Sequence, residues 1–455
     1  MRACSALWLP GGRGYLELSA RVRVARASER GSSTRLVRRQ YGSRQRLTGR
    51  ALQDDGSQTT SITVAINAGP RYETSAGVAH ILKNFTFKST AQRSALRLIR
   101  EAELYGGLLS SSLSKEHLFL TAEFLRGDED FFVQVLGEVL SSSKLLEHEF
   151  QEEVLPSVAS EFSSVQASPA ALAFDAFTQA AYRQRGLGAS LYASPITPVS
   201  HDAAVSFARA AFAKSNLAVL GSGIDAGALA SLVSKHFQGV ASSGSVAAGA
   251  SKYFGGDARI AYAPAHSDSP RASDGHVVFG FEGAALGSPE LAVLRAHLGG
   301  EAAVKWSTGL SPLAAVSAGH PGVQANAFNL GFSDSGLFGA HVSAPHAKIG
   351  EVAKAAAQAF KKAADSISSE DLSRAVAKAK FEAAAALENR ATTQAVAGAQ
   401  LLNGSEVQSL EEAFSKFEGV KADALSSAAG KLLKSKPTLV VVGDVQKLPY
   451  ADELF

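Results

Sequence analysis

The stretch that decides the fold runs from Gly77 to Thr90 and reads Gly-Val-Ala-His-Ile-Leu-Lys-Asn-Phe-Thr-Phe-Lys-Ser-Thr. Its large apolar residues recur at the spacing of one helix face: Val78, Ile81, Leu82 and Phe85. His80, Lys83 and Asn84 lie within about one turn of each other on the same helix. The stretch therefore predicts an amphipathic helix that groups one imidazole, one ammonium and one amide side chain.

Strand and helix patterns continue on both sides of this helix. Alternating apolar residues predict strands at 61–68, 118–124 and 217–221. A second helix through Leu96 and Leu104 ends at a glycine pair, and further helices fill 129–213.

The second half of the chain repeats this order at a spacing of roughly two hundred residues. Strands are predicted at 276–281, 325–332, 336–343 and 439–443, and helices at 288–298, 346–364 and 369–390. The clearest repeat is terminal, because Lys-Ser-Asn before Leu-Ala-Val-Leu-Gly (214–221) resembles Lys-Ser-Lys before Leu-Val-Val-Val-Gly (434–443).

Residues 238–250 are almost all Gly, Ala, Ser and Val, the composition of a linker. We therefore predict an α+β fold of two similar halves, each a mixed or antiparallel sheet with helices packed on one face. The predicted domains are 42–237 and 251–455, joined by the linker 238–250.

Residues 1–41 have a different composition. They contain nine Arg, no Lys and two acidic residues, which is typical of a mitochondrial presequence. Arg39-Gln40-Tyr41 resembles the Arg-X-Tyr pattern of matrix processing, so cleavage is predicted after Tyr41. A basic arm that stays attached is the alternative.

Composition narrows the possible functions of residues 42–455. Without residues 1–41 the chain has 36 basic and 40 acidic residues, and this mildly acidic balance argues against nucleic acid as a partner. The single cysteine, Cys4, lies in the predicted presequence, which leaves no disulfide and no thiolate ligand. No apolar run reaches the roughly 18 residues of a membrane span.

The stretch 77–90, followed by Arg93, resembles the zinc helix of the pitrilysin-type (inverzincin) metallopeptidases, in which H-x-x-E-H precedes a Phe-Lys-Gly-Thr run. The resemblance places Lys83 at the catalytic Glu and Asn84 at the second zinc-binding His, and only His80 is retained. Lysine cannot accept a proton from zinc-bound water, and asparagine is a poor zinc ligand. We therefore predict no catalytic residue, no metal and no cofactor, and an ordinary helix histidine at His80.

Two acidic stretches further along the chain bear on the same motif. In the family, the third zinc ligand is a Glu about seventy-six residues further on, which falls at Ser160 or Glu161 here, so Glu161 is a doubtful third position. The run His148-Glu149-Phe150-Gln151-Glu152 is half of an H-E-x-x-H motif and is predicted to be a solvated helix face.

The resemblance covers nearly all of residues 51–455. Its strongest stretches are 67–73 (Asn-Ala-Gly-Pro-Arg-Tyr-Glu), 100–107, 332–339 (Phe-Ser-Asp-Ser-Gly-Leu-Phe-Gly) and 442–450. They are similar to the fungal core proteins of ubiquinol–cytochrome c oxidoreductase, respiratory complex III. This resemblance implies a non-catalytic structural subunit, peripheral on the matrix side of the mitochondrial inner membrane. The implied partners, in a dimeric complex, are core protein 1, cytochrome b, cytochrome c1, the Rieske protein and small subunits.

Two other functions stay open. The non-catalytic α subunit of the mitochondrial processing peptidase shares this fold and binds presequences with the help of a glycine-rich loop. The corresponding stretch here, Trp306 to Val323, is only modestly glycine-rich. A working presequence peptidase would need the groups that Lys83 and Asn84 replace. Bound zinc would distinguish the peptidase, and co-purifying haem would distinguish the complex III subunit.

Overall fold

The computed structural model describes residues 48–51, 56–244, 246–263, 274–300, 309–319 and 322–455. The predicted presequence 1–41 and its cleavage point at Tyr41 lie outside these residues, as does part of the stretch 306–323.

Ten strands form two five-stranded sheets within these ranges. The first sheet has the order β1-β5-β2-β4-β3, and the second has the order β6-β10-β7-β9-β8. The strands are β1 (Thr48–Ala51), β2 (Thr59–Ile66), β3 (Leu108–Leu113), β4 (Leu118–Leu125), β5 (Leu217–Ser222), β6 (Gly256–Ala261), β7 (Gly275–Gly283), β8 (Gln324–Gly331), β9 (Gly336–Ala344) and β10 (Thr438–Gly443).

The helices of the first half, in chain order, are α1 (Val78–Phe85), α2 (Ala95–Leu104), α3 (Glu129–Ser142), α4 (Glu147–Glu149), α5 (Leu155–Gln166), α6 (Pro169–Tyr182), α7 (His201–Ala211) and α8 (Ala226–His236). A π-helical turn, Phe150–Val154, joins α4 to α5. Those of the second half are α9 (Pro289–Leu298), α10 (Pro312–Ala318), α11 (Ile349–Asp365), α12 (Ser369–Glu388), α13 (Arg390–Leu402), α14 (Leu410–Glu418), α15 (Ala422–Lys434) and α16 (Ala451–Leu454).

The two sheets have the same topology. In each, the first strand pairs in parallel with the last, and the remaining neighbours are antiparallel. β5 and β10, the strands of the terminal sequence repeat, occupy equivalent positions. The predicted architecture of two similar α+β halves is therefore confirmed.

Most helices cover one face of each sheet, which we call the outer face. In the first half, Ile62, Val64 and Ile66 of β2 point to this face and pack against α1, α3, α7 and α8. In the second half, the corresponding face carries Val277, Phe279 and Phe281 and packs against α9, α11 and α15. The alternation of apolar residues thus fixes which side of each strand meets the main helical layer.

Each inner face is covered by a helix from the opposite half, an arrangement that the sequence did not predict. α6 of the first half packs on β7 and β10, with Phe177 against Val278 and Val440. α13 of the second half packs on β2 and β5, with Ala397 against Ala65 and Leu220. The halves are therefore joined by two exchanged helices as well as by the linker.

A polar network also joins the halves at a place that we call the seam, formed by Arg71, Glu116, Gly249, Ser333 and Asp334. The Arg71 guanidinium donates to Glu116 Oε1 at 2.6 Å and to Asp334 Oδ2 at 2.6 Å. It also donates to Ser333 Oγ at 2.7 Å and to the linker carbonyl of Gly249 at 3.3 Å. One side chain thus connects the first half, the linker and the β8–β9 turn.

Candidate functional site

The predicted helix is α1, and a close backbone approach fixes where it begins. Gly77 precedes it with φ 89°, and a Cβ atom there would lie 2.6 Å from the Cβ of Ala193. Glycine is therefore required both by conformation and by space. The Glu73 carboxylate accepts a hydrogen bond from the Gly77 N–H at 3.0 Å, and burial raises the pKa of Glu73 to about 7.

His80 is 2% exposed, and both of its ring nitrogens are paired. The backbone N–H of Ala193 donates to Nδ1 at 3.0 Å, so Nδ1 carries no proton. Nε2 therefore carries the proton and donates to Glu161 Oε2 at 2.5 Å. Burial, only partly offset by Glu161, lowers the pKa of His80, so the ring is neutral at neutral pH.

Lys83 is bound to the same carboxylate. Its ammonium donates to Glu161 Oε1 at 2.6 Å and to Oε2 at 2.8 Å. Burial alone would raise the pKa of Glu161, but the hydrogen bonds from Lys83 and His80 outweigh it and lower the pKa. Glu161 is thus an ionised carboxylate held by two groups on α1.

Asn84 completes the contact between α1 and α5. Its Nδ2 donates to the His80 carbonyl at 3.2 Å, and its Oδ1 accepts from Ser157 Oγ at 3.1 Å. The amide is therefore used to tie the two helices together.

The residues present do not fit a zinc ion. The Nε2 atom of His80 bears a proton, the carboxylate of Glu161 is occupied by an ammonium, and Asn84 supplies a weak neutral oxygen. Lys83 already provides the positive charge beside Glu161, and a dication there would be repelled. Within the described ranges, no group of three or more His, Cys, Asp or Glu residues could hold a metal ion.

The structure thus brings together His80, Lys83, Asn84 and Glu161, the four positions that the sequence singled out. Sequence reasoning missed Ser157 and the backbone of Ala193, which is 113 residues from His80 in the chain. Helical spacing from Glu161 back to Ser157 could have indicated the first, but no sequence signal indicates the second.

The prediction for 148–152 was only partly correct. His148, Gln151 and Glu152 are exposed, but Glu149 and Phe150 are buried. The Glu149 side chain accepts a hydrogen bond from the Ser89 N–H at 3.2 Å. Because the π-helical turn begins at Phe150, this run does not keep the regular helical phase that the prediction assumed.

Comparisons with known proteins agree with this geometry. Residues 50–194 match the model described as insulinase (peptidase family M16), and residues 198–379 match the one described as the peptidase M16 inactive domain. The chain is 49% identical over 398 residues to a Cryptococcus neoformans protein named cytochrome b-c1 complex subunit 2, mitochondrial, covering 87% of this chain and 89% of the relative. The protein of the same name from Neurospora crassa is 39% identical, covering 89% and 88%.

A solved structure described as complex III2 from Candida albicans contains a chain of the same fold. Its TM-score is 0.77 at 17% identity, covering 89% of this chain and 96% of that one. At this identity the match establishes the fold alone. The family-model matches and the high identity to the fungal relatives show that the chain belongs to the M16 peptidase family.

Proposed function

We propose that this chain is a non-catalytic core subunit of the cytochrome b-c1 complex, respiratory complex III, of the subunit 2 type. The observation that carries the proposal is the 49% identity to a relative of that name along nearly the whole of both chains. The subunit holds the assembly together and carries no redox centre of its own.

The site geometry supports a structural rather than a hydrolytic role. Metallopeptidase chemistry needs a metal-bound water and a base that accepts its proton. Here the base position is Lys83, whose ammonium is bound to the Glu161 carboxylate. The residues of the former active site therefore fasten α1 to α5.

The proposed partners are core protein 1, cytochrome b, cytochrome c1, the Rieske protein and the small subunits. None of the described helices is long and apolar enough to cross a membrane. We place the subunit on the matrix side of the inner membrane, bound through those partners. Subunits that remain associated through protein contacts alone need large interfaces.

A mild-detergent purification of the tagged chain from mitochondria tests the proposal, with a native gel, haem absorbance and zinc content as readouts. We expect cytochrome b and cytochrome c1 spectra in near-stoichiometric amount and no zinc bound to this chain. A haem-free heterodimer with a zinc-bearing partner would instead establish the processing-peptidase α subunit. Stoichiometric zinc on this chain would establish a peptidase.

A further inference from the structure

The turn that ends α13 carries the pair Asn403-Gly404, the one place in the sequence where Asn precedes Gly. The turn is a Schellman motif. The Ser405 N–H donates to the Gln400 carbonyl at 2.9 Å, and the Gly404 N–H donates to the Leu401 carbonyl at 3.1 Å. Gly404 has a φ of +74° and open space around it. Because residues with a side chain rarely adopt this conformation, the turn itself requires glycine at position 404.

An Asn-Gly pair has a reaction of its own. The backbone nitrogen of Gly404 attacks Cγ of Asn403 and forms a bond to it, the bond from Cγ to the amide nitrogen breaks, and ammonia leaves with the proton of the attacking nitrogen. Water then adds to either carbonyl carbon of the five-membered succinimide and opens it to aspartate or isoaspartate. Water is the sole co-reactant, and nothing is oxidised or reduced. Glycine permits this ring closure because it has no side chain beside the attacking nitrogen.

The structure places the pair where the reaction needs only a small local opening. Asn403 and Gly404 are both exposed, as are the two residues that follow. Asn403 has φ −81° and ψ 4°, so ring closure requires a rotation about its Cα–C bond that the two hydrogen bonds of the turn prevent. Opening the turn breaks these two bonds and uncovers little apolar surface. Such fraying of a helix end is among the easiest openings of a folded protein.

Asn389, at the other end of α13, differs in both respects. It is exposed too, but its side chain is the N-cap and accepts a hydrogen bond from the Thr392 N–H at 3.1 Å. The next residue is Arg390, whose side chain stands beside the nitrogen that would attack. One helix therefore begins with a protected asparagine and ends with a reactive one.

A carboxylate at position 403 opposes the structure around it. The last turn of a helix carries a partial negative charge, which repels an anion, and the exposed Glu406 adds a second negative charge nearby. Isoaspartate also lengthens the main chain by one carbon, which displaces the hydrogen bonds of the turn. Leu401 and Leu402, just before the turn, pack at the inner face of the first sheet. A loosened turn therefore weakens the contact of α13 with the first half.

We propose that Asn403 is a site of spontaneous deamidation, and that the carboxylate so formed loosens α13, one of the two exchanged helices, from the first sheet. The modification needs no enzyme. Because the turn requires its glycine, the helix that joins the halves carries a built-in limit on how long that contact keeps its full strength.

Peptide mass spectrometry of the full chain, purified in its natural assembly and incubated at mildly alkaline pH, tests the reaction. We expect aspartate and isoaspartate to accumulate at position 403 many times faster than at Asn389, which is the internal control. Equal rates at the two positions, or no product at position 403, overturn the proposal.

The substitution Asn403→Asp supplies one product directly and tests its effect. We expect Tm to fall by roughly 1–2 °C, and the amides of α13 to exchange hydrogen faster than in the natural chain. Ser409→Asp is the matched control, since it adds the same charge at the N-cap of α14, where aspartate is as good a cap as serine, and Tm should not change. An Asn403→Asp variant with unchanged Tm and exchange overturns the proposal. An equal fall in both variants overturns it as well, because net charge alone then explains the loss.

Discussion

At the scale of single residues, Lys83 has a structural use at the position that the resemblance assigns to the catalytic Glu. Its ammonium contacts both oxygens of Glu161, while the neighbouring Lys88 contacts the more exposed Glu153 at 2.5 Å. The two lysines therefore form a natural pair for comparing a shielded ion pair with a solvated one.

We expect Lys83→Met to lower the free energy of unfolding by about 1 kcal/mol, because Glu161 loses a charged donor in a site that is only partly solvated. The matched variant Lys88→Met should change it by less than about 0.5 kcal/mol, since Glu153 is 50% exposed. Urea unfolding of both variants checks this. Equal losses would show that Glu161 is no better shielded than Glu153.

A second prediction concerns the metal. In the double variant Lys83→Glu with Asn84→His, an imidazole one turn after His80 joins a free Glu161 carboxylate, and three zinc ligands are present. We expect this variant to bind zinc in a 1:1 ratio by metal analysis after dialysis, and the natural chain to bind none. The single variant Asn84→His, which keeps Lys83 on Glu161, is the control and should bind zinc much more weakly. Failure of the double variant to bind zinc would mean that His80 and Glu161 cannot turn toward a shared ion.

Much of this site could be predicted from sequence. Helical spacing grouped His80, Lys83 and Asn84, and chain distance pointed to Glu161. Which ring nitrogen of His80 carries the proton could not be predicted, because this depends on the N–H of Ala193. That N–H belongs to a loop far along the chain and donates to Nδ1. Sequence spacing carries no information on such contacts between a loop and a helix.

At the scale of elements, the exchanged helices depend on small residues. Gly398 of α13 lies on the first sheet, and a Cβ atom there would be 2.8 Å from the Ala65 Cβ and 3.2 Å from Leu220 Cδ1. Gly430 of α15, by contrast, has open space around it.

We expect Gly398→Ala to destabilise the protein by about 1–3 kcal/mol, because the added methyl pushes α13 off the sheet. The same change at Gly430 should stabilise it by roughly 0.5–1 kcal/mol, since alanine is the better helix former and meets nothing. Thermal unfolding of the two variants measures both effects. A stabilised Gly398→Ala variant would show that α13 packs less tightly than the structure indicates.

The strands and helices with strong periodicity were predicted, including β2, α1, β4, β7, β9 and β10. β3 was not, because its sequence Leu-Leu-Ser-Ser-Ser-Leu does not alternate apolar and polar residues, and every second side chain of this edge strand is exposed. The exchange of α6 and α13 was missed for a different reason. An apolar stripe shows that a helix face is buried, but it does not show which half of the molecule buries it.

At the scale of the whole molecule, buried histidines make stability depend on pH. Burial lowers the pKa of His117, His276 and His341 to about 4 from the ordinary value of 6.5. The stability that these neutral rings contribute is fully present above pH 6.5 and is lost as pH falls from 6.5 toward 4, because only the unfolded chain takes up the protons easily. Glu73, with its pKa raised to about 7 from 4.5, acts in the opposite direction between those two values.

Of these four groups, the three histidines take up protons on unfolding and Glu73 releases one, which leaves an uptake of about two protons near pH 5. The lowered pKa of His80 acts in the same direction as those of the three histidines. We therefore expect the free energy of unfolding to fall by about 1–3 kcal/mol per pH unit in this range. Urea titrations at a series of pH values between about 7 and 5 measure the slope, and His276→Asn should reduce it. A flat profile would mean that these rings protonate in the folded protein as readily as in the unfolded chain.

The exchanged helices also bear on how the chain is made. The hydrogen bond from Ser61 Oγ to Gln394 Oε1 spans 333 residues. A chain that emerges from its amino end, at a ribosome or an import channel, therefore exposes the inner face of its first sheet until α13 follows. Long-range contacts of this kind close slowly and leave apolar surface open to aggregation meanwhile. The first half therefore cannot complete its own core, and the topology leaves the inner face of its sheet uncovered until nearly the whole chain has been made.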